Sequence, residues 1–414
     1  HKDLMHLFVP SIHDANKIFN QDTALNFIKT FTKHGTVTGV MEILSDYFLA
    51  HVGEINFREK AHFIGLMVMK LINVYMGHEQ PTDRDSFMYK RVELSGNLLN
   101  GLFREYYLQQ KKEIAQKIDK EYYFHKAKYK ESASAQENHD EDKYNGHQFI
   151  RLIESNLTTF FKDRTVESGV RKAFKGNWGA SIGTKKIGVV QDLNRLSWNS
   201  FISQLRKINL PLASTAKVVG PRHLHASQWG YVDPVDTPDG GNIGLHKHLS
   251  IMTRITSGFS AQPLLYWLRN NTSIKLLCES TCKEMSNMSK ILVNGRWIGV
   301  IDTPIELLQL LKLYRRNGII PLYTSISFDY KSKEVIIFTD SGRLIRPLFY
   351  VDEMGKSTDK TDLLKKLETN SYSWIDIVSG TKKNSLSFDP YKNAIYEVAD
   401  LFPHLSKRDS GAIK

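Results

Sequence analysis

The spacing of apolar residues changes from helical to strand-like near residue 257, and this change restricts the chain to a mixed fold. Before it, residues 58–76 form a predicted helix with a buried face made of Phe63, Leu66, Met67 and Leu71. After it, Asn294-Gly295 stands between two apolar runs, which is the strongest short-range signal of a β-hairpin. Residues 334–338 and 344–351 are two further predicted strands. The sequence therefore predicts an α+β fold.

The chain is also long enough to form several domains. Its 414 residues correspond to two to four domains at roughly 100 to 200 residues each. Helical spacing continues over residues 98–130 and gives way to a polar run at residues 131–145, which predicts a solvated loop or insertion. The longest apolar stretch, residues 63–76, is interrupted by Lys70 and Asn73, well short of the roughly 18 residues that a membrane span requires. We therefore expect a folded, multidomain protein that does not cross a bilayer.

The first residue and the cysteines give a weaker indication of cellular context. The chain begins with His1 rather than Met and shows no secretory signal, so we expect that His1 is not the native N-terminus. Its two cysteines, Cys278 and Cys282, have C-x3-C spacing with no second pair. They complete neither a disulfide framework nor a zinc finger, and thiols in core or surface positions are the simpler interpretation. We expect a reducing, intracellular compartment.

The positive charge of the chain is concentrated in one segment. The formal net charge is +12, and residues 171–222 supply +9 of it through ten Lys or Arg against one acid, Asp192. A basic run is usually a solvated face, but clustered charge is also the electrostatic signature of nucleic-acid binding. Lys and Arg contact phosphates without reading base sequence. The segment is therefore a candidate for sequence-independent binding of nucleic acid.

Within the basic segment, glycines alternate with one predicted helix. The glycines are Gly176, Gly179, Gly183, Gly188 and, after the helix, Gly220. The helix spans residues 191–208. Its apolar face would consist of Trp198, Phe201, Ile202, Leu205 and Ile208, and its polar face of Gln191, Arg195, Asn199, Ser203 and Arg206. We expect the apolar face to pack and the polar face to offer hydrogen-bond donors.

A rigid acidic turn follows the basic segment. In Thr237-Pro-Asp-Gly240, the proline fixes φ and Gly240 accepts a positive φ, so the turn holds the carboxylates of Asp236 and Asp239 in place. Rigid acids beside a basic segment suggest a site. The alternative is that the two carboxylates only shape their turn.

Short motifs surround the acidic turn: Pro221-Arg-His-Leu-His225, Trp229-Gly230 and Asp236-Thr-Pro-Asp-Gly240. They resemble the fork region of the second-largest subunit of multisubunit DNA-directed RNA polymerases, which has P-R-x-L-H, then W-G, then E-T-P-E-G followed by G-L. The two aspartates replace the usual glutamates and shorten each reach by one methylene. The resemblance covers about two thirds of the chain. The residues of its motifs are nearer the eukaryotic, archaeal and large-DNA-virus form than the bacterial one. Further matches, in the same order, are residues 83–85, 90–96, 176–179, 194–197, 205–207, 293–300 and 339–348.

The resemblance implies an order of parts along the chain. These are the C-terminal part of the lobe (1–92), a returning protrusion segment (93–175) with the polar insertion near 131–145, the fork (176–258), external domain 1 (259–345) and a truncated external domain 2 (346–414). In the family the fork lies beside the RNA–DNA hybrid and the downstream DNA, and its two loops help to keep strands apart. Here the first fork loop would be residues 180–186 and the second fork loop residues 212–220.

Roles of individual residues also follow from the resemblance. The positions implied to lie near nucleic acid are Gln191, Arg206, Lys207, Lys217 and Arg222. Asp239 matches an acidic position near the active centre. The family performs two-metal nucleotidyl transfer with Mg²⁺, but the metal ligands belong to the largest subunit. We therefore expect no catalytic residue and no bound cofactor in this chain, and no activity from it alone.

The partners implied are those of a polymerase subunit. They are the largest subunit and the other polymerase subunits, the DNA template, the RNA–DNA hybrid and nucleoside triphosphates. The implied location is the nucleus, the cytoplasm for an archaeal enzyme, or a viral factory or virion for a viral one.

Two other site types receive less support from the residues. His223/His225 and His246/His248 are H-x-H pairs that could hold a metal on a strand, but a structural role is favoured. Residues 179–185 superficially resemble a phosphate-binding loop, but their G-x3-G-T-K spacing lacks the required intervening residues.

A different class of function is a stand-alone module that binds single-stranded nucleic acid independently of sequence. It would stack bases on Trp178, Trp198 and Phe201, which are interleaved with Lys and Arg. Trp198 and Phe201 also fit the predicted packed helix face, which weakens the stacking interpretation.

Overall fold

The computed structural model describes residues 4–32, 35–134, 146–181, 183–316, 318–349, 365, 367–371 and 396–400. The helices are α1 (Met5–Asp14), α2 (Gln21–Lys29), α3 (Val37–Glu42), α4 (Phe57–Tyr75), α5 (Ser95–Ser134), α6 (Gly146–Ser155), α7 (Leu157–Phe160), α8 (Thr165–Phe174), α9 (Trp198–Leu205), α10 (Gln262–Asn271), α11 (Cys282–Asn287) and α12 (Pro304–Arg316). The strands are β1 (Lys207–Asn209), β2 (His246–His248), β3 (Arg254–Ile255), β4 (Lys275–Leu276), β5 (Ser289–Val293), β6 (Arg296–Ile301), β7 (Ser325–Asp329), β8 (Glu334–Phe338), β9 (Leu344–Phe349) and β10 (Tyr396–Asp400). The predicted α+β class is confirmed. Within the described ranges, no helix combines the length and apolar character needed to cross a membrane.

The chain forms two compact units, and each is described by itself. Unit 1 consists of His1–Arg91, Ala213–Leu245 and Leu249–Lys414, and unit 2 of Val92–Leu212 and His246–His248. The predicted division into five parts stays a prediction. The second predicted external domain, 346–414, falls mostly outside the described residues. Of the predicted polar insertion, residues 131–134 continue α5 and residues 135–145 lie outside the described part.

Unit 1 contains a five-stranded sheet of order β4-β6-β5-β8-β7. Strands β5 and β8 pair in parallel, and the other neighbours are antiparallel. The predicted hairpin is confirmed between β5 and β6, where Asn294 has φ 50° and Gly295 φ 80°. Positive φ at both central residues is the type I′ geometry, whose twist matches that of the flanking strands.

Helices cover both faces of this sheet. Ile291 and Val293 of β5 belong to a core that also includes Leu268 of α10 and Leu311 of α12. Leu292 between them joins a separate core on the opposite face, because successive strand residues point to opposite sides. The result is a three-layer arrangement in which the sheet lies between helices.

Helix α4 supplies the cover on that opposite face. The predicted helix over residues 58–76 is confirmed, and Phe63 and Leu66 pack in the same core as Leu292. The rest of the predicted face is wrong, since Met67 and Leu71 are exposed. The buried stripe therefore covers only part of the helix circumference that apolar spacing suggested.

The two strands predicted after the hairpin are confirmed over the described residues but lie in different sheets; residues 350 and 351 of the second prediction fall outside the described part. Strand β8 is the neighbour of β5 and β7, whereas β9 pairs antiparallel with β3 and β10. Between them, Arg343 is buried and donates to the backbone oxygens of Asp340 and Tyr323, at 3.2 and 2.6 Å. The Asp340 carboxylate lies 3.1 Å from Arg343 and 2.8 Å from Arg91.

Unit 2 is built around the packing of α5 on α8. Leu102 and Tyr106 of α5 form a core with Ala173 of α8 and with Trp178. Gly169 of α8 allows the close approach, because a Cβ there would lie 2.5 Å from the Tyr106 ring. This core carries the start of the basic segment.

Candidate nucleic-acid interface

The basic segment spans both units. Residues from Arg171 to Lys207 belong to unit 2, whereas Lys217 and Arg222 belong to unit 1. The first fork loop therefore belongs to unit 2. The second fork loop belongs to unit 1, apart from its first residue, Leu212, which is the last residue of the Val92–Leu212 segment of unit 2. Each loop is held by contacts within its own unit.

The first fork loop, residues 180–186, begins at a buried tryptophan. Trp178 is 7% exposed, and its carbonyl accepts the Lys186 N–H at 3.0 Å, which closes the loop. Gly179 has φ 102°, and a Cβ there would lie 2.5 Å from the Thr184 carbonyl oxygen. Only glycine combines that φ with that approach. The Gly176-Asn-Trp-Gly179 motif is thus the anchor of the loop.

Two glutamates, Glu93 just before α5 and Glu105 within it, hold the same loop. The Glu105 carboxylate accepts the Ser181 N–H at 3.2 Å and the Thr184 hydroxyl. The Lys186 ammonium pairs with the Glu93 carboxylate. Lys186 is therefore partly neutralised, while its neighbour Lys185 is exposed and forms no ion pair with the described residues. The sequence did not predict that these glutamates contact the loop, because they lie 76 to 93 positions away from their partners in the chain.

The helix predicted over residues 191–208 is shorter than expected. Helix α9 begins only at Trp198, where Ser197 accepts the Ser200 N–H at 3.2 Å and forms a capping box with it. Gln191, at the predicted start, lies instead in an exposed loop and donates from its side chain to the Gly188 carbonyl at 2.8 Å. The helix ends at Leu205, and strand β1 follows.

The predicted packed face of this helix is also wrong. Trp198 is 75% exposed, Leu205 is exposed, and α9 has no buried residue. Phe201 instead forms a cation–π contact with Arg195, with the guanidinium carbon 4.9 Å from the ring centroid. Unit 2 therefore presents an apolar and basic surface around α9.

Lys207 lies on a short two-stranded sheet directly after Arg206. Strands β1 and β2 pair antiparallel with Lys207 opposite His248 and Asn209 opposite His246. His246 Nδ1 lies 2.7 Å from Asn209 Oδ1, and burial, together with the positive charge of Lys207, holds the His246 pKa below its ordinary value. The lowered pKa disfavours a second positive charge on His246 beside Lys207.

In unit 1, the second fork loop contains exposed Lys217 and is contacted by Arg222. The Arg222 Nη1 donates to the carbonyls of Gly241 and Ile243 at 2.8 and 3.0 Å, and Nη2 to those of Ser214 and Ala216 at 3.0 and 3.2 Å. Four backbone oxygens from two segments thus meet at one guanidinium. The predicted phosphate contact of Arg222 stays a prediction.

The acidic turn is held by hydrogen bonds from backbone N–H groups to side-chain oxygens of its own segment. Asp233 Oδ1 accepts the N–H groups of Val235 and Asp236 at 2.9 and 3.2 Å, and the Thr237 hydroxyl accepts the Gly244 N–H at 2.9 Å. Gly240 has the expected positive φ, 73°. The Asp239 side chain is exposed and caps no helix. It is thus placed in solvent on a rigid segment.

The upstream motifs of unit 1 support this region. His225 Nε2 lies 2.6 Å from Asp83 Oδ2, and the Phe87 N–H donates to the Ser227 hydroxyl at 2.9 Å. The Asp83 pKa is lowered, first by the Asp85 N–H and then by His225. Motifs that are more than 130 residues apart in sequence are therefore neighbours.

No metal centre is formed by the described residues. Within the described part there is no group of three or more His, Cys, Asp or Glu that could hold an ion. Cys278 and Cys282 are free and exposed thiols. The assignment of Mg²⁺ to another subunit stays a prediction.

Comparison with known proteins assigns this arrangement to a class. Models of RNA polymerase Rpb2 domains match in order: domain 2 over residues 1–93, domain 3 over 191–255 and domain 4 over 291–352. Relatives include RNA polymerase II subunit RPB2 of Encephalitozoon cuniculi, 32% identical over 91% of this chain and 32% of the relative. Subunit 2 of Arabidopsis thaliana is 33% identical (87% of this chain, 29% of the relative), and Rpo2 of Saccharolobus shibatae 28% identical (95% and 34%).

The chain belongs to the Rpb2 family of second-largest RNA polymerase subunits. It spans about a third of the length of these relatives. The resemblance seen in the motifs is thereby confirmed.

Proposed function

We propose that this chain is the lobe and fork part of a DNA-directed RNA polymerase and that it flanks the active centre during template-directed transcription. The assembled enzyme would transfer nucleotides, with Mg²⁺ held by the largest subunit, and this chain would contribute no catalytic side chain. The observation that carries the proposal is the match of three consecutive Rpb2 domain models, with the fork motifs inside the second.

The role proposed for the fork is to contact sugar-phosphate backbones beside the RNA–DNA hybrid and the downstream DNA. Exposed Lys217 and Gln191, with Arg206 and Lys207 on the β1 side, supply cationic or hydrogen-bonding groups that do not discriminate between bases. Such contacts suit an enzyme that must accept any template. Asp239, exposed on its rigid turn, would lie near the active centre.

The proposed partners are the largest subunit, the other polymerase subunits, the DNA template, the hybrid and nucleoside triphosphates. Leu196 and Trp198 are exposed apolar side chains of unit 2, and they support a surface that a partner covers in the assembled enzyme. Large apolar groups left in water are typical of interaction sites. The proposed location is that of transcription: the nucleus, an archaeal cytoplasm, or a viral factory or virion.

The stand-alone single-strand-binding module receives less support. One of its three proposed stacking residues, Trp178, is buried in the unit 2 core and offers no ring face to a base. Trp198 is exposed, and stacking there is compatible with either function.

Deletion of residues 212–220 tests the proposed role of the second fork loop. A polymerase reconstituted with the deleted chain should elongate more slowly on duplex downstream DNA, because strand separation would lose one of its loops. The control is a template without a downstream non-template strand, on which elongation should be unaffected. Unchanged elongation on the duplex template would contradict the proposal.

A further inference from the structure

We propose that Arg222 is a positioning residue that fixes the second fork loop to the segment after the acidic turn, rather than a residue that contacts phosphate. The inference rests on the proposed function for its consequence, and on the geometry of unit 1 for its basis. The two terminal amino groups of the guanidinium serve different segments. Nη1 donates to Gly241 and Ile243, and Nη2 donates to Ser214 and Ala216.

The arrangement requires arginine specifically. A guanidinium presents five N–H donors in a rigid planar fork, and four of its hydrogen-bonding directions are matched here by carbonyl oxygens 2.8 to 3.2 Å away. A lysine ammonium has three donors on one nitrogen and cannot span both segments. The Nη1 and Nη2 donors of Arg222 are thus directed to backbone oxygens, which leaves only the Nε donor to hydrogen-bond a phosphate.

The backbone around Arg222 is closely packed. Gly244 has φ 71°, and a Cβ there would lie 2.1 Å from the Arg222 carbonyl oxygen. On the other side, a Cβ on Gly220 would lie 2.4 Å from Asp85 Oδ2. Neither glycine leaves space for a β-carbon, so the backbone on both sides of Arg222 is closely approached by other groups.

The two tied segments are the ones that carry the exposed charges of this site. Lys217 directly follows the clamped Ala216, and Asp239 precedes the clamped Gly241 by two residues. Arg222 thus sets the position of Lys217 relative to Asp239. Loss of this clamp should misplace the second fork loop without removing any group that contacts nucleic acid.

The first test is Arg222→Lys, which keeps the charge and removes the fork. In the reconstituted polymerase, amide exchange in residues 213–219 and 239–245 should accelerate at least about tenfold, equivalent to about 1.4 kcal/mol, because hydrogen bonds to a charged donor are lost. Elongation should slow on duplex downstream DNA and stay unchanged without the downstream non-template strand. The matched control, Lys217→Ala in the same loop, should leave exchange unchanged and lower the salt dependence of nucleic-acid binding.

The second test replaces the clamp by a covalent bond. A Cβ on Gly241 would lie 3.6 Å from the Ser214 Cβ, within the range for a disulfide. In an Arg222→Lys, Ser214→Cys, Gly241→Cys chain with Cys278 and Cys282 changed to Ser, oxidation should restore slow exchange and duplex elongation. Reduction should abolish both effects.

The outcomes separate this inference from the proposed function. Normal exchange and elongation in Arg222→Lys would overturn the clamp, since charge alone would then suffice. The clamp would also be overturned if the oxidised disulfide orders the loop without restoring elongation. If Arg222→Lys prevents assembly of the polymerase, failure of the oxidised disulfide to restore assembly would overturn it as well. If deletion of residues 212–220 has no effect on duplex templates, the proposed function fails, whereas a normal Arg222→Lys beside a defective deletion rejects the clamp alone.

Discussion

Replacing Gly244 by alanine should destabilise unit 1 by an amount that follows from two separate costs. The residue has φ 71°, and a left-handed conformation costs an L-residue roughly 1 to 2 kcal/mol. The new Cβ would also lie 2.1, 2.6 and 2.7 Å from the oxygen, Cα and carbonyl carbon of Arg222. These are backbone atoms that cannot rotate away, and overpacking of this kind costs roughly 1 to 3 kcal/mol. The total loss should be about 2 to 5 kcal/mol.

Gly240→Ala is the matched control for this prediction. Gly240 has φ 73° in the same segment, but nothing lies within 4 Å of its added Cβ. It should lose only the conformational part, roughly 1 to 2 kcal/mol. Urea denaturation of both variants beside the wild-type chain measures the difference. Equal losses in the two variants, or a Gly244→Ala chain as stable as wild type, would refute the close packing of this segment on Arg222.

Three further changes probe the surroundings. Asn294→Ala should cost about 2 to 3 kcal/mol in urea denaturation, because it loses the 2.8 and 2.7 Å hydrogen bonds with Thr339 and places alanine at φ 50°; Asn294→Gly should cost less, and a larger loss for glycine would contradict this. Asp340→Ala should cost about 3 kcal/mol or more, because the Arg343 side chain, 1% exposed, would lose its carboxylate partner; a thermal melt as stable as wild type would reject that. Since the His246 pKa is lowered in the fold, the unfolded chain binds more protons below about pH 6.5, so stability should fall with acidification below that pH, and His246→Asn should reduce the slope.

The local structure of the chain was predictable where the chemistry was local. Asn294-Gly295 specifies a hairpin because both residues tolerate positive φ, and Gly240 likewise takes the φ that its turn demands. Helical spacing likewise located α4, because apolar residues three or four positions apart lie on one face of a helix. In each case the determining residues lie within a few positions of one another.

Burial and pairing were less predictable because they depend on distant parts of the chain. Apolar spacing gave α9 a packed face, yet Trp198 is exposed, since periodicity does not say what covers a surface. The helix was also too long, because the Gln204 side chain accepts the Asn194 N–H and donates to the Asp192 carbonyl, which holds residues before Ser197 as a loop. Strands β8 and β9 were located, but their separation into two sheets was not.

The candidate site was predicted from motifs, and its internal contacts were not. The resemblance indicated which positions face nucleic acid in the family, and those roles stay predictions. Arg222 hydrogen-bonds to backbone carbonyls, which every residue has, so no sequence pattern marks its partners. Glu93 and Glu105 reach the first fork loop from a distant segment. The family was therefore recognisable from the sequence, whereas the contacts that hold the fork loops were not.

The salt dependence of hybrid binding tests the central claim most directly. The reconstituted polymerase, carrying Lys207→Ala and Lys217→Ala together, would be bound to RNA–DNA hybrid scaffolds of two unrelated sequences over a range of salt concentrations. If both lysines contact phosphates, the log–log slope should become shallower by about 1.4 to 1.8 on both sequences. Lys275→Ala, which removes a lysine already paired with Glu284, should leave the slope unchanged. An unaltered slope in the double variant, or a loss confined to one sequence, would contradict a phosphate-binding fork.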